Sequence, residues 1–172
     1  MEFNWSQTFD YNEMKTLYEL VIPKDDLWNP SILTKQPNKV NGFVARNNDG
    51  NVIACAVIAN LHKTNATYID CFAIVPEIRG NKLSYVAWNS FIEFINEKYK
   101  QFNTNKLIIE VYLKNVVIWN KVMGIDVLNI DTIVTKPYLY NETKIMGKNI
   151  MSETEGVEVY SEWQEIESLF DC

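Results

Sequence analysis

Between Val40 and Val75 three apolar segments follow one another with almost nothing between them: VNGFVAR, NVIACAVIANL and ATYIDCFAIV. The first two are separated by Asn47-Asn48-Asp49-Gly50, and Asp-Gly between apolar runs is a strong hairpin signal. The break HKTN, His62 to Asn65, leads into the third. Strands joined by connections this short run antiparallel, because a parallel return needs a crossover of a dozen residues or more. The third segment is long and apolar and directly succeeds its neighbour, which predicts a central place in the sheet.

The flanks fit helices around that sheet. Phe3 and Trp5 alternate with polar residues and predict a short first strand. Asp10-Tyr-Asn-Glu13 has the form of a capping box, with Met14, Leu17, Tyr18 and Val21 at helical spacing behind it and Pro23 as a stop. The stretch KDDLWNPSILTKQPN reads as loop with a short helix near Ser31–Thr34. Beyond Arg79-Gly80, the residues Leu83, Ala87, Phe91, Phe94 and Ile95 form one stripe, widened by Trp88, Ile92 and Tyr99, of a long helix. KLIIEVYL, residues 106–113, is the next strand. Asn115 is the expected cap of a short helix, VVIWNKVM, that Gly124 terminates. IDVLNIDTIV and ETKIMGKNI complete the strands. Hairpins alternating with two crossover helices specify an α/β fold, a mixed sheet with helices on both faces.

Net charge is −6 over 172 residues, but residues 151–172 hold seven acidic side chains and no Lys or Arg, so residues 1–150 sit at +1. No basic stripe exists for duplex nucleic acid. We expect a main domain over 1–150 and an appendage over 151–172: an acidic linker, SETEG, then an amphipathic helix capped at Ser161-Glu-Trp-Gln164. That helix docks on its own domain or on another chain, and a short helix needs packing to persist. Cys55, Cys71, Cys172 and the single His62 form no metal-ligand cluster; Cys55 and Cys71 are expected as neighbouring buried thiols. No 18-residue apolar run and no signal-like N-terminus is present, so neither a membrane nor secretion is expected and a cytoplasmic location follows.

Val75 to Trp88, VPEIRGNKLSYVAW, is the stretch with chemical promise. A strand that ends in a loop whose N–H groups enter a helix is an anion site, because those groups are unpaired and the helix dipole favours negative charge. Residues Gly80 to Ser84 supply the donors, with Arg79 and Lys82 adding charge. In its surroundings (strand, long helix, strand, Asn115, short helix ending KVMGI) the chain resembles the GCN5-related N-acetyltransferase (GNAT) superfamily over roughly residues 40–150. The family's R-x-x-G-x-G/A motif is matched by Arg79, Lys82 and Ser84, its Val-x-x-x-Asn step by Val111 and Asn115, and its helix end by Trp119, Lys121 and Gly124-Ile125.

The resemblance implies a mostly antiparallel mixed sheet whose two central parallel strands, Tyr68–Val75 and Lys106–Leu113, splay apart. It implies acetyl-CoA as cosubstrate, with its pyrophosphate on Arg79, Gly80, Asn81, Lys82, Leu83 and Ser84. Its pantetheine arm would lie in the splay on main-chain groups of Phe72 and Ile74, near Asn115. The activity implied is N-acetyl transfer to an amine, and no metal is called for. A small-molecule or peptide amine is the expected partner, and a homodimer is admitted.

Asp70 is the first candidate for the base and for contact with a cationic acceptor; it is read as sharing a face with Tyr68 and Phe72, and Tyr68-Ile-Asp70 resembles a Tyr-Leu-Glu of some antibiotic-modifying members. Glu110 is second and Glu77 third, while His62 lies in a turn. The family's cover over the acceptor pocket points to Asp25, Asp26 and Trp28. Three departures stand out. Lys82 replaces a glycine, at about 1 kcal/mol of strain if that position has positive φ. The helix after Asn115 is about one turn short. Trp119 stands near the family's acid tyrosine, where an indole N–H cannot act, leaving Tyr138 or Tyr140 to reach in or a thiolate that departs unassisted. These departures keep open a second reading, a GNAT-fold module that binds CoA or a partner without catalysis.

Overall fold

The computed structural model describes residues 1–21, 33, 38–128, 130 and 143–169. Among them the strands are β1 (Asn4–Thr8), β2 (Val40–Arg46), β3 (Val52–Leu61), β4 (Ala66–Ile74), β5 (Leu107–Tyr112), β6 (Asp126–Val127) and β7 (Thr143–Lys148). The helices are α1 (Lys15–Val21), α2 (Asn81–Lys98), α3 (Val116–Lys121) and α4 (Glu153–Glu167). The strands form one sheet in the order β1-β2-β3-β4-β5-β7-β6. Every neighbouring pair is antiparallel except β4–β5. This is an α/β fold with a mixed, mostly antiparallel sheet, and β4 lies at its centre as its length and apolarity predict.

Side-chain alternation sorts the helices onto two faces. On one, Met14 just before α1, Leu17 and Tyr18 of α1 and Val159, Tyr160, Trp163 and Ile166 of α4 pack with Val44, Cys55, Val57 and Tyr68. On the other, Trp88, Phe91 and Ile95 of α2 and Trp119 of α3 pack with Phe43, Ala56, Ile58, Ile69 and Ile109. These are called the α1/α4 face and the α2/α3 face below. Burying such stripes on both sides is the main source of stability, at roughly 25 cal/mol per Å² of apolar surface. Cys55 and Cys71 are buried free thiols on the α1/α4 face, and the hydrogen bond with Cys55, then burial, push the Cys71 thiol up.

The local signals act largely as read. Asn47 closes the β2–β3 turn, its side chain accepting from the N–H of Asp49 and Asn51 at 3.0 Å each. Asp10 caps a 3₁₀ turn at Tyr11–Glu13 rather than an α-helix, and Glu13 is drawn off to Thr8 and Arg46. Gly124 has φ +68, and the N–H groups of Gly124 and Ile125 return to Asn120 and Trp119 at the end of α3. These two nested bonds close the helix end across a residue in the left-handed region, a backbone that glycine adopts without strain.

Two expectations are corrected. Asn115 makes no capping hydrogen bond: a 3₁₀ turn over Leu113–Asn115 runs straight into α3, so Asn115 has near-helical φ/ψ (−104°, −6°) and its side chain is not aimed back at the helix end. The C-terminal segment has no linker at SETEG and no cap at Ser161. Its helix starts at Glu153, with Ser152 accepting from the Glu155 N–H at 3.1 Å and Glu155 reaching back to the Met151 N–H. The capping box lies nine residues earlier because the apolar positions Val159, Tyr160, Trp163 and Ile166 belong to one continuous helix.

That helix docks on its own sheet. Trp163 stacks on Tyr68 with ring centroids 3.8 Å apart and planes 9° from parallel. Glu162, buried, accepts from the Lys63 and Thr64 N–H groups and the Thr64 hydroxyl at 3.0, 2.9 and 2.7 Å, which closes the β3–β4 turn. Lys106 pairs with Glu155 at 2.9 Å. The proposed short helix near Ser31–Thr34 lies outside the described residues apart from Leu33, which is helical and buried.

Candidate active site

Two strands that begin side by side and then part create the central feature. The β4–β5 ladder pairs Thr67 with Leu107, Tyr68 with Ile108 and Ile69 with Ile109, and ends there. β4 continues five residues further, still paired with β3 as far as Ile74. The N–H of Thr67 donates across to Lys106 on the β5 side, whereas that of Val75 donates to Ile53 on the β3 side. By alternation Phe72 and Ile74 turn their main-chain groups to the β5 side, into the opening. The Ile74 carbonyl accepts Nε of Arg79 at 3.0 Å.

The parting has a local cause. Cys71 sits opposite Val57 and Ile69 opposite Ile58, so Asp70 is the extra residue of a β-bulge. A bulge leaves one residue unpaired, bends its strand and increases the twist. It also resets the alternation: Ala66 and Tyr68 before it, and Cys71 and Ala73 after it, all lie on the α1/α4 face. Phe72 is therefore on the other face, against Trp88, Phe91 and Trp119. Asp70 shares its face with Tyr68 but not with Phe72, which corrects the strict period-2 reading.

Asp70 and Glu110 both stand where the ladder stops, on the α1/α4 face. Asp70 accepts the Tyr18 hydroxyl of α1 at 3.0 Å. Glu110 accepts the Thr143 hydroxyl at 2.9 Å and that of Tyr160, from α4, at 3.4 Å. Between them lies Tyr68, whose phenol is pushed well up by burial and then by the charges of Glu110 and Asp70. The sequence reading found the carboxylates and missed the phenols. Tyr18 was legible only as part of an apolar stripe, yet a tyrosine there carries a hydroxyl that must find a partner when buried.

The loop after β4 differs from its expected form. Pro76–Ile78 is a 3₁₀ turn that includes exposed Glu77, and α2 begins at Asn81 with Gly80 at its N-cap. Gly80 is extended, at φ 162°, and a side chain there would meet nothing within 4 Å. Lys82 lies inside the first turn of α2 and is not among the residues with positive φ, so it carries no glycine-type strain. The Ser84 N–H donates to the Gly80 carbonyl at 2.8 Å and is spent inside the helix, which removes it from the expected donors. The N–H groups of Asn81, Lys82 and Leu83 precede that first helical bond. Lys82 and Arg79 are exposed beside them.

Trp119 is buried on the α2/α3 face, edge-on to Trp88 at 5.4 Å and to Phe72 at 6.4 Å. It fills space beside the opening and brings no acid. A cleft of about 240 Å³ lies between Tyr85, Trp88 and Asn89 of α2 and Lys121 to Gly124 after α3. Exposed His62, in the β3–β4 turn, is at the opposite end of β4 from the opening. Trp28, Asp25, Asp26, Tyr138 and Tyr140 lie outside the described residues.

Neither a protein-family model nor a curated protein matches the sequence. Solved structures do match in shape. An acetyltransferase of Bacillus subtilis in complex with CoA is similar at TM-score 0.58 and 10% identity, over 87% of this chain and 100% of that one. An acetyltransferase of Streptococcus agalactiae gives TM-score 0.60 at 15% identity, over 85% and 97%. A spermidine N-acetyltransferase mutant of Vibrio cholerae gives 0.58 at 12%, over 84% and 94%. With its bulged central strand and the one parallel pair among the described strands parting beyond Ile69, the chain has the fold of the GCN5-related N-acetyltransferases.

Proposed function

We propose that the chain is an acetyl-CoA-dependent N-acetyltransferase that acts on a primary amine of a small molecule or peptide. The observation that carries this reading is the coincidence, at one place, of the opened β4–β5 ladder and two carboxylates on one face. The fit to the cosubstrate is a main-chain one: Phe72 and Ile74 direct backbone groups into the opening, and the α2 N-terminus with Arg79 and Lys82 follows from the end of the same strand. Asn115, half-buried after β5, lies on the far side of the opening.

Acetyl-CoA, when bound, supplies the activated acyl group; the protein must orient an amine, strip its proton and steady the charge. Asp70 is the base in this reading: a cationic amine is drawn to the carboxylates at the fork and gives its proton to Asp70, directly or through water. Glu110 adds negative charge on the same face. No side chain is needed to protonate the departing thiolate, since a thiol pKa of roughly 8.5 makes the thiolate an adequate leaving group. A cytoplasmic setting and a lone or paired chain both suit this chemistry.

One structural neighbour is a spermidine N-acetyltransferase, so a panel of test amines should include polyamines. CoA at millimolar concentration is expected to raise the melting temperature by linkage. Thiol release from acetyl-CoA with that panel then tests transfer, and Asp70→Asn should cut it at least a hundredfold, within the usual span for a lost general base, while the CoA-dependent shift persists. Trp119, buried where an acid tyrosine is the family's habit, favours the second reading, a CoA-binding module without catalysis; stabilisation by CoA with no thiol release under any amine selects it.

A further inference from the structure

We propose that Tyr68 is an acceptor-binding residue whose hydroxyl takes an N–H of the incoming amine. Calling the ligand an amine rests on the acetyltransferase reading; the unpaired hydroxyl does not. Tyr68 is only 4% exposed and is pinned on the sheet by Trp163, with ring centroids 3.8 Å apart. Hydroxyls so deeply buried are nearly always hydrogen-bonded. Those of Tyr18 and Tyr160, on the same face, reach Asp70 and Glu110. That of Tyr68 makes no hydrogen bond with any described residue. Nor is it sealed in: Asn60 Nδ2 is the one fully enclosed side-chain polar atom without a partner among the described residues. The Tyr68 hydroxyl, unpaired and not enclosed, opens onto space that a ligand can enter.

The place of that hydroxyl selects its ligand. Tyr68 pairs with Ile108, one step before the β4–β5 ladder ends at Ile69, and its side chain lies on the α1/α4 face. Phe72 and Trp119 pack on the other face. With the cosubstrate arm in the opening between the strands, a group arriving from the α1/α4 face meets Tyr68 as it nears the thioester. Burial and then the nearby Glu110 hold the phenol well above its ordinary range, so its proton stays in place at neutral pH. A neutral phenol offers one proton and two lone pairs. Its oxygen accepts an N–H of the amine, which fixes the direction of the amine and leaves the nitrogen lone pair for attack. The stack on Trp163 holds the ring beforehand, so little ordering remains to be done when the amine arrives.

The test uses Tyr68→Phe in the full chain, which keeps the ring and its stack and removes only the hydroxyl. Without ligand the variant should match or exceed the native melting temperature, since no internal hydrogen bond is lost. A fall of more than about 3 °C would show the hydroxyl spent inside the protein and overturn the proposal. Thiol release from acetyl-CoA is then measured with primary amines that include butylamine and spermidine. The KM for the amine should rise about tenfold or more, the usual loss for one hydrogen bond to a charged group, with the KM for acetyl-CoA unmoved. An unchanged amine KM overturns the proposal, and so do equal changes in both constants. If the native chain releases no thiol with any amine, the acetyltransferase reading fails by itself. The contact is then read from the Tyr68 Cζ resonance of the native chain as the same amines are added; a shift supports it and no shift overturns it.

Discussion

At the scale of single residues, carboxylates do most of the tying. Glu162 satisfies three donors of one turn from 98 residues away. Glu162→Ala removes the carboxylate from these part-buried donors, and hydrogen bonds to a charged group are worth roughly 1.5–3 kcal/mol each. We expect a loss of about 3 kcal/mol in urea unfolding, since water will reach part of the turn. Glu13 gives a pH effect. The hydrogen bond from Arg46 at 2.5 Å, then that from Thr8, hold its carboxyl below the ordinary range. Its folded pKa is depressed, so its contribution is full above the unfolded value of roughly 4.3 and is lost as pH falls through the folded value. Partial exposure keeps it under about 1 kcal/mol. Glu13→Gln should therefore lower the melting temperature slightly at pH 7, where the charged carboxylate contributes, and flatten its decline below pH 4.5, so that variant and native chain converge in acid. Residues were also where the sequence was hardest to read: Asp70 was identifiable as an acid on the central strand, but its direction depended on a bulge. Nothing in Tyr68-Ile-Asp70-Cys71 announces an extra residue, because the bulge is set by pairing with β3.

At the scale of elements, turn and cap chemistry was read correctly where one signal stood alone and wrongly where two competed. Asp49-Gly50 and Gly124 each had no rival, and both end elements as expected. Ser152-x-x-Glu155 and Ser161-x-x-Gln164 both satisfy the capping pattern, and only the first is used. The apolar spacing back to Val159 favoured the first, a signal the acidic composition of SETEG obscured. Ser152→Ala should cost about 1 kcal/mol in chemical denaturation, whereas Ser161→Ala, a mid-helix change to a better helix former, should cost nothing. The α2 entry makes a similar point: the R-G-N-K segment was recognisable as a strand-to-helix junction, but the helix begins early enough to consume the Ser84 N–H.

At the scale of the whole molecule, the antiparallel succession of β2, β3 and β4 followed from their short connections and the parallel β4–β5 pair from the family resemblance, whereas the place of β7 between β5 and β6 followed from neither. The cluster around Asp70 and Glu110 was not legible, since it is assembled from α1, β4, β5, β7 and α4, segments that no local pattern relates. We propose that residues 151–172 belong to the working domain as its last element and not to a detachable appendage. A chain ending at Ile150 loses the cover of Tyr68 and the cap of the β3–β4 turn. It should lack a cooperative thermal transition, seen by circular dichroism, and a stable, CoA-responsive fragment 1–150 would reject that assignment.

The tie between Glu162 and the turn at Lys63–Thr64 also bears on the order of events during synthesis. A ribosome adds roughly 5–20 residues per second, so the turn emerges on the order of 5–20 s before the side chain that completes it. Through that interval β3 and β4 can pair, but the face awaiting α4 is bare, with Tyr68 unstacked. The nascent sheet's need for a chaperone therefore peaks between the emergence of β4 and that of α4, whose docking on the exposed face retires it.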